Sequence, residues 1–196
     1  MSDRAEQDHS AARDRRILIG IGGGIACYKM ATVVSTLAQA GADVTVVMTE
    51  SATRFVAPLT FEALSGNPVI DSPWTRVVSS DPQHIRIAAA ADLMLIAPCT
   101  MDLVARLAGG FTSDAVTLVA SALNLQVQPI LLAPSMNQQM YAQPSTQRNL
   151  RQLADDGFSI IEPGSGWQAC RTDGIGRLPE PEQLVDSIIA SLPAMS

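Results

Sequence analysis

The chain is short of charge and of aromatic rings. Charged residues make up 16% of its 196 residues and aromatic residues 4%, against 47% apolar residues. So little charge means that much of the apolar content must be buried, in the chain's own core or in subunit contacts. With so few rings, Ala, Val, Leu and Ile do most of the packing, a profile that suits helices laid on a parallel sheet. The length is enough for one α/β domain with a sizeable core. No basic run is present and the net charge is −6, which argues against a nucleic-acid partner. Histidine is confined to His9 and His84; the three cysteines, Cys27, Cys99 and Cys170, are widely spaced and form no C-x-x-C. That pattern disfavours a structural zinc site, so no metal is expected, and it fits a reducing cytoplasm. The longest apolar stretches have the length of core strands, well short of a membrane span. The first fifteen residues lack the apolar segment of a secretory signal. Residues 1–15 are expected to be a disordered tail with His9 solvated in it, and residues 16–196 a single domain.

What is present is a repeating strand–turn–helix pattern. Arg16 to Ile21 is a short apolar run that ends in Gly22-Gly23-Gly24. A helical pattern follows from Ile25 to Ala40 and stops at Gly41. Ala42 to Met48 reads as a second buried strand, and Thr49-Glu50-Ser51 as a cap or turn. Further strands are expected at Ala91–Ala97, Gln128–Ala133 and Phe158–Ile161. Helices are expected after Met101, after Asp114, over Ser145–Asp156 and over Glu182–Leu192, and Pro163 to Pro181 is a long Gly/Pro-rich stretch. The fold class this predicts is α/β, one domain with a parallel sheet and helices on both faces. Ligands of such sheets bind at the carboxyl ends of the strands. The segments 22–26, 49–55, 98–102 and 134–140 should therefore meet at one site.

Several residues there can carry chemistry, and each also has a plain structural reading. Glycines let a backbone approach a phosphate closely, and the start of the next helix offers free N–H groups. The spacing matches G-x-G-x-x-G poorly, since the sixth position from Gly20 is Ile25. The hydroxyls of Thr49 and Ser51 beside Glu50 suit a phosphate or a flavin ribityl chain better than an adenosine ribose. His84 follows Asp81-Pro82-Gln83 and is expected in the first turn of a helix, a place that favours the neutral imidazole able to act as a base. Asn137 ends Pro134-Ser135-Met136-Asn137, where it either hydrogen-bonds a carboxylate or caps a helix. Cys170 lies in a glycine-containing segment that reads as a mobile flap, from which a thiol can deliver a proton. Trp167 either flanks a ligand or anchors the loop. Cys27 and Cys99 read as small packing residues.

Five motifs in order and at matching spacing resemble the phosphopantothenoylcysteine decarboxylases, the flavin-containing cysteine decarboxylase family of coenzyme A biosynthesis. They are Gly23-Gly24-Ile25-Ala26-Cys27-Tyr28-Lys29, Met48-Thr49-Glu50, Ala97-Pro98-Cys99-Thr100, Pro134 through Tyr141, and Ala169-Cys170 with Gly176-Arg177-Leu178. The resemblance spans about residues 16–192 and, by its length, is to the stand-alone form. It implies a flavodoxin-like, Rossmann-like fold that binds FMN, assembled as a homotrimer or a dodecamer of trimers with flavin sites at subunit contacts. It further implies roles for three residues: His84 as base, Asn137 as carboxylate anchor and Cys170 as proton donor. The implied reaction converts 4′-phosphopantothenoylcysteine to 4′-phosphopantetheine. The cysteinyl thiol end is oxidised, CO2 leaves from the adjacent carbon, and the enethiol is protonated and reduced. An uncharged asparagine suits this course, because a lysine would stabilise the carboxylate against leaving.

The same resemblance places flavin contacts at Gly23, Gly24, Ile25, Thr49, Ser51, Thr100, Met101, Asp102 and Leu103, with Ser135 near the ring. Met136, Trp167 and Ala169 join Asn137 around the substrate. The chain departs from the family pattern at Gly22, where serine is usual, at Ser135, where alanine is usual, and at Arg171-Thr172 after the flap cysteine, where Gly-Asp is usual. Three other readings remain: a peptidyl-cysteine oxidative decarboxylase, a flavin-binding regulatory subunit without catalysis, and a nicotinamide enzyme resting on the glycine turn alone.

Overall fold

The structure, a computed structural model, describes residues 9–74, 83–169 and 171–194. Strand β1 (Arg16–Ile21) leads through the glycine turn into helix α1 (Cys27–Gln39) and strand β2 (Asp43–Met48). Helices α2 (Pro58–Ser65) and α3 (Gln83–Ala90) precede strand β3 (Leu93–Cys99), which is followed by helices α4 (Met101–Ala108) and α5 (Ala115–Ala120). Strand β4 (Ile130–Pro134), helices α6 (Gln138–Ala142) and α7 (Pro144–Asp155) and the short strand β5 (Ser159–Ile160) complete the main sheet. Strands β6 (Gly164–Trp167) and β7 (Asp173–Arg177) form a separate antiparallel pair, and helix α8 (Pro181–Ser191) closes the described chain.

The main sheet is parallel and five-stranded, in the order β2-β1-β3-β4-β5. Alternating side chains divide the core between its two faces. Ile17, Ile19, Val44, Val46, Leu93 and Leu95 meet Met30, Val33, Val34 and Leu37 of α1 together with Leu184, Val185 and Ile188 of α8. Leu18, Met94, Ile96, Ile130 and Leu132 meet Ala88 of α3, Leu103 and Val104 of α4, Val116 and Val119 of α5, and Leu150 and Leu153 of α7. Both faces are covered, which is why the strands read as nearly continuous apolar runs. The chain moves outward in one direction from β1 to β2 and in the other from β1 to β3, so the carboxyl ends of β1 and β3 flank the crevice where such sheets bind ligands.

Two expectations change. Residues 9–15 belong to the body of the fold rather than to a disordered tail. Ala12 is fully buried, the Asp14 N–H donates to the Gly41 carbonyl at 2.9 Å, and the Arg15 guanidinium donates to the Pro193 carbonyl at 2.6 Å and pairs with Asp92. His9 is half-buried, not solvated. Ala12, the one buried apolar side chain in this charged segment, lets it dock. Residues 1–8 lie outside the described residues. Second, the stretch 163–181 contains the β6–β7 hairpin, which its glycines and polar residues hide from any strand pattern. Among the described residues no helix is long and apolar enough to cross a membrane.

Candidate active site

The glycine turn is held from both sides. The Gly22 N–H donates to the Pro98 carbonyl at 3.2 Å, and the Cys27 thiol donates to the Gly22 carbonyl at 3.0 Å. A side chain on Gly22 would run into the Pro98 carbonyl and the Leu103 side chain, and one on Gly23 into Ser51. Leu103 filling that space is a physical reason for glycine at position 22. Beside the turn, Thr49 is buried, its N–H bonded to the Ile21 carbonyl at 3.0 Å and its Oγ1 3.0 Å from Ser51 Oγ. Thr49 Oγ1 also accepts from the Ala52 N–H at 3.2 Å, so Thr49, and not Ser51, caps the turn of helix that follows. Thr100 caps α4 through the Leu103 N–H at 3.3 Å. The ends of β1, β2 and β3 thus bring Gly22–Gly24, Thr49, Ser51 and Thr100 together.

A cavity of about 480 Å³ opens next to this turn. Gly24, Ile25 and Ala26 line it on one side, and the end of β4 supplies Ser135, Met136 and Asn137. Trp167, Gln168 and Ala169 come from the hairpin end of β6, Gly176–Leu178 from β7, and Tyr28 and Lys29 from α1. The hairpin is fastened over the β4 end. The Met136 N–H donates to the Gly176 carbonyl at 2.9 Å, and a side chain at Gly176 would collide with the Met136 carbonyl.

Of the residues expected at the site, Gly24, Ile25, Ser135, Met136, Asn137, Trp167 and Ala169 line this one cavity. Gly23, Thr49, Ser51 and Thr100 border it through the turn. Met101 is half-buried, Leu103 packs in the core, and the Asp102 carboxylate turns outward to Arg106 at 2.7 Å. Asn137 does cap α6, its Oδ1 accepting the Gln139 N–H at 2.8 Å, and lines the cavity as well, so its two readings are compatible. His84 stands in the first turn of α3, half-buried, and is not among the lining residues. Cys170 lies outside the described residues. Burial pushes the thiols of Cys27 and Cys99 up, so both stay neutral, in keeping with packing roles.

Two buried polar residues of the cavity lining, Lys29 and Gln168, had no role in the sequence reading. Lys29 is the only lysine in the chain and is 7% exposed. Its Nζ donates to the Leu178 carbonyl at 3.2 Å and to Glu180 at 3.0 Å. Glu180 also binds Arg177 at 2.6 Å, and these cations hold its carboxyl below the usual range, Lys29 foremost. A lone lysine on a helix whose inner face is Cys27, Met30, Val33 and Val34 was the available signal. Gln168, 8% exposed, bridges the hairpin to the start of α6 and had no signal, being one polar residue in a glycine-rich loop.

The chain is similar to the coenzyme A biosynthesis bifunctional proteins CoaBC of Vibrio vulnificus, at 45% identity over 87% of the chain, and of Bacillus subtilis, at 44% over 88%. It spans 42% of the length of each of these relatives. Among solved structures it resembles a PPC decarboxylase variant complexed with pantothenoylaminoethenethiol, with TM-score 0.78 and 27% identity over 90% of this chain and 97% of that one. It also resembles the FMN-dependent cysteine decarboxylase SpaF, with TM-score 0.78 and 26% identity over 91% of this chain and 97% of that one. The model of the Flavoprotein family matches residues 5–193, and with a cavity beside the glycine turn of a 2-1-3-4-5 sheet, the chain belongs to the Flavoprotein family.

Proposed function

We propose that the protein is an FMN-dependent decarboxylase that converts 4′-phosphopantothenoylcysteine to 4′-phosphopantetheine in coenzyme A biosynthesis, and that it acts in the cytoplasm. The observation that carries this reading is the single cavity shared by the glycine turn, the Ser135–Asn137 segment and the β6–β7 hairpin. The similarity to CoaBC proteins over nearly the whole chain supports this substrate.

The residues fit FMN. Close packing of Gly22 on Pro98 and Leu103 and of Gly23 on Ser51 sets the turn so that Gly24 lines the cavity, and the hydroxyls of Thr49 and Ser51 stand beside the turn. Gly23, Gly24 and Ile25 would hold the phosphate and ribityl chain with Thr49, Ser51, Thr100 and the first N–H groups of α4, at Met101 and Asp102, which lack partners within a helix. The N–H of Leu103 is already taken by Thr100, which leaves Leu103 a packing role. Ser135 would lie near the ring. The flavin supplies the two-electron chemistry at the cysteinyl sulfur.

The protein's part is binding, exclusion of water and proton transfer. Asn137 donates from Nδ2 to the substrate carboxylate without the charge that would hold CO2 in place. Met136, Trp167 and Ala169 form apolar walls that strengthen this hydrogen bond and keep water off the scissile carbon. Cys170 delivers a proton to the product carbon. His84 is the base that takes the thiol proton. Because His84 does not line the cavity of its own chain, we place it in the site of a neighbouring copy, in a homotrimer or a dodecamer of trimers. Ile25, Tyr28 and Trp167, 60%, 61% and 61% exposed, rim the cavity and offer that copy an apolar surface.

The test is direct. Purified protein is denatured and the released chromophore identified, and the holoprotein is incubated with 4′-phosphopantothenoylcysteine with analysis of the products. FMN and 4′-phosphopantetheine are expected. A colourless protein that binds a dinucleotide, or formation of an oxidised enethiol alone, overturns the reading.

A further inference from the structure

We infer that Gln168 is the positioning residue for the carboxylate anchor: its side-chain amide fixes the amide of Asn137 so that Nδ2 is presented to the substrate. This rests on the reading of Asn137 as the carboxylate anchor. Gln168 ends the β6 arm and is 8% exposed, so its polar atoms must find partners inside the protein. Its Nε2 lies 3.0 Å from the Ile175 carbonyl and 3.5 Å from that of Gly174. Carbonyls only accept, so the nitrogen of the amide must be on this side. The oxygen therefore faces the other way, where it meets two donors, the Gln138 N–H at 3.4 Å and Asn137 Nδ2 at 3.5 Å.

Asn137 is thereby gripped at both ends. Its Oδ1 is drawn to the Gln139 N–H at 2.8 Å, and its Nδ2 is drawn to Gln168. The polarity of these contacts runs in one direction, from the Gln139 N–H through Asn137 and Gln168 to the β7 carbonyls, and it favours this orientation of both amides. An Nδ2 group carries two hydrogens and can serve Gln168 and a carboxylate together. A flipped Asn137 would offer an oxygen to an anion. The backbone is built for this contact. Gly176 has φ +125°, and a side chain there would press on both Gln168 Nε2 and the Met136 carbonyl. The hairpin therefore sets the geometry of the anchor as well as covering the cavity.

Substrate and product of the proposed reaction differ by one carboxylate, which gives the test a reference ligand. Dissociation constants for 4′-phosphopantetheine, and KM and kcat with 4′-phosphopantothenoylcysteine, are measured on the holoenzymes of wild type, Gln168→Met, Gln168→Leu, Asn137→Ala and Gln168→Met/Asn137→Ala. Misplacing one hydrogen bond predicts a loss of about tenfold in kcat/KM for Gln168→Met. Product affinity and flavin content should stay unchanged, and Gln168→Leu, which shares only the lost amide, should match. The double variant should be no worse than Asn137→Ala. Equal weakening of substrate and product, additive losses in the double variant, or loss of flavin in both Gln168 variants would make Gln168 a scaffold residue and overturn the inference. If Asn137→Ala itself fails to separate substrate from product, the reading of Asn137 is what fails.

Discussion

At the scale of single residues, Asn137 serves two ends with one amide: Oδ1 closes the start of α6, and Nδ2 meets Gln168 at the cavity wall. Asn137→Asp keeps the capping oxygen and replaces the donor by a negative charge. It should keep the helix cap and lose no more stability than the Gln168 contact supplies, yet lower kcat/KM by about a hundredfold or more, as expected for losing a hydrogen bond to a charged group and adding repulsion. Thermal unfolding beside steady-state kinetics separates the two effects. Glycine offers a second test. Gly176 and Gly66 both have positive φ, but only at Gly176 would a side chain meet backbone atoms. Gly66→Ala should cost about 1 kcal/mol from conformation alone and Gly176→Ala about 2–4 kcal/mol, measured by chemical denaturation. The sequence showed Asn137 because it follows an apolar strand at a predictable place. It did not show Gln168, whose burial depends on how closely β7 approaches Met136, a tertiary fact with no local pattern.

Elements were legible in proportion to how deeply they are buried. The strands β1–β4 are apolar apart from Arg16, Asp43 and Thr45, and the residues expected for them agree with the observed spans to within a few positions. The hairpin was not legible, because Gly174 and Gly176 supply close contacts, and Gly166 and Gly176 a positive φ, rather than side chains. Its root is tied to α1 and α8 through Glu180, which binds Lys29 and Arg177 and accepts the capping contact of α8. A carboxyl held below its ordinary value adds stability that is present above that value and is lost as the pH falls through the folded one. The Glu180→Gln variant should therefore be less stable than wild type near neutrality. The difference should shrink as the pH drops below about 4.5, followed by urea denaturation at stepped pH. Glu180 is half exposed, so the gap at neutral pH should be small.

For the whole molecule, the decisive question is whose histidine serves whose cavity. If His84 acts across a subunit contact, His84→Asn and Asn137→Ala proteins should each be inactive alone and regain activity when unfolded and reassembled together, since mixed contacts then contain one intact site. Mixing without recovery would mean that each chain completes its own site. The parallel sheet follows from apolar runs alternating with helices, which a sequence displays, whereas the order of its strands does not. The meeting of two copies depends on surface shape, and the exposed Ile25, Tyr28 and Trp167 are scattered along the chain with nothing to join them until it folds.

The burial of Lys29 makes the joint between α1, the hairpin and α8 observable. The chain has one side-chain amine, and that amine is enclosed by Leu178 and Glu180. An amine-selective reagent should acylate Lys29 slowly, only when the joint opens. The slow arm of that labelling, followed by intact mass, would time the opening of the hairpin root without any engineered probe.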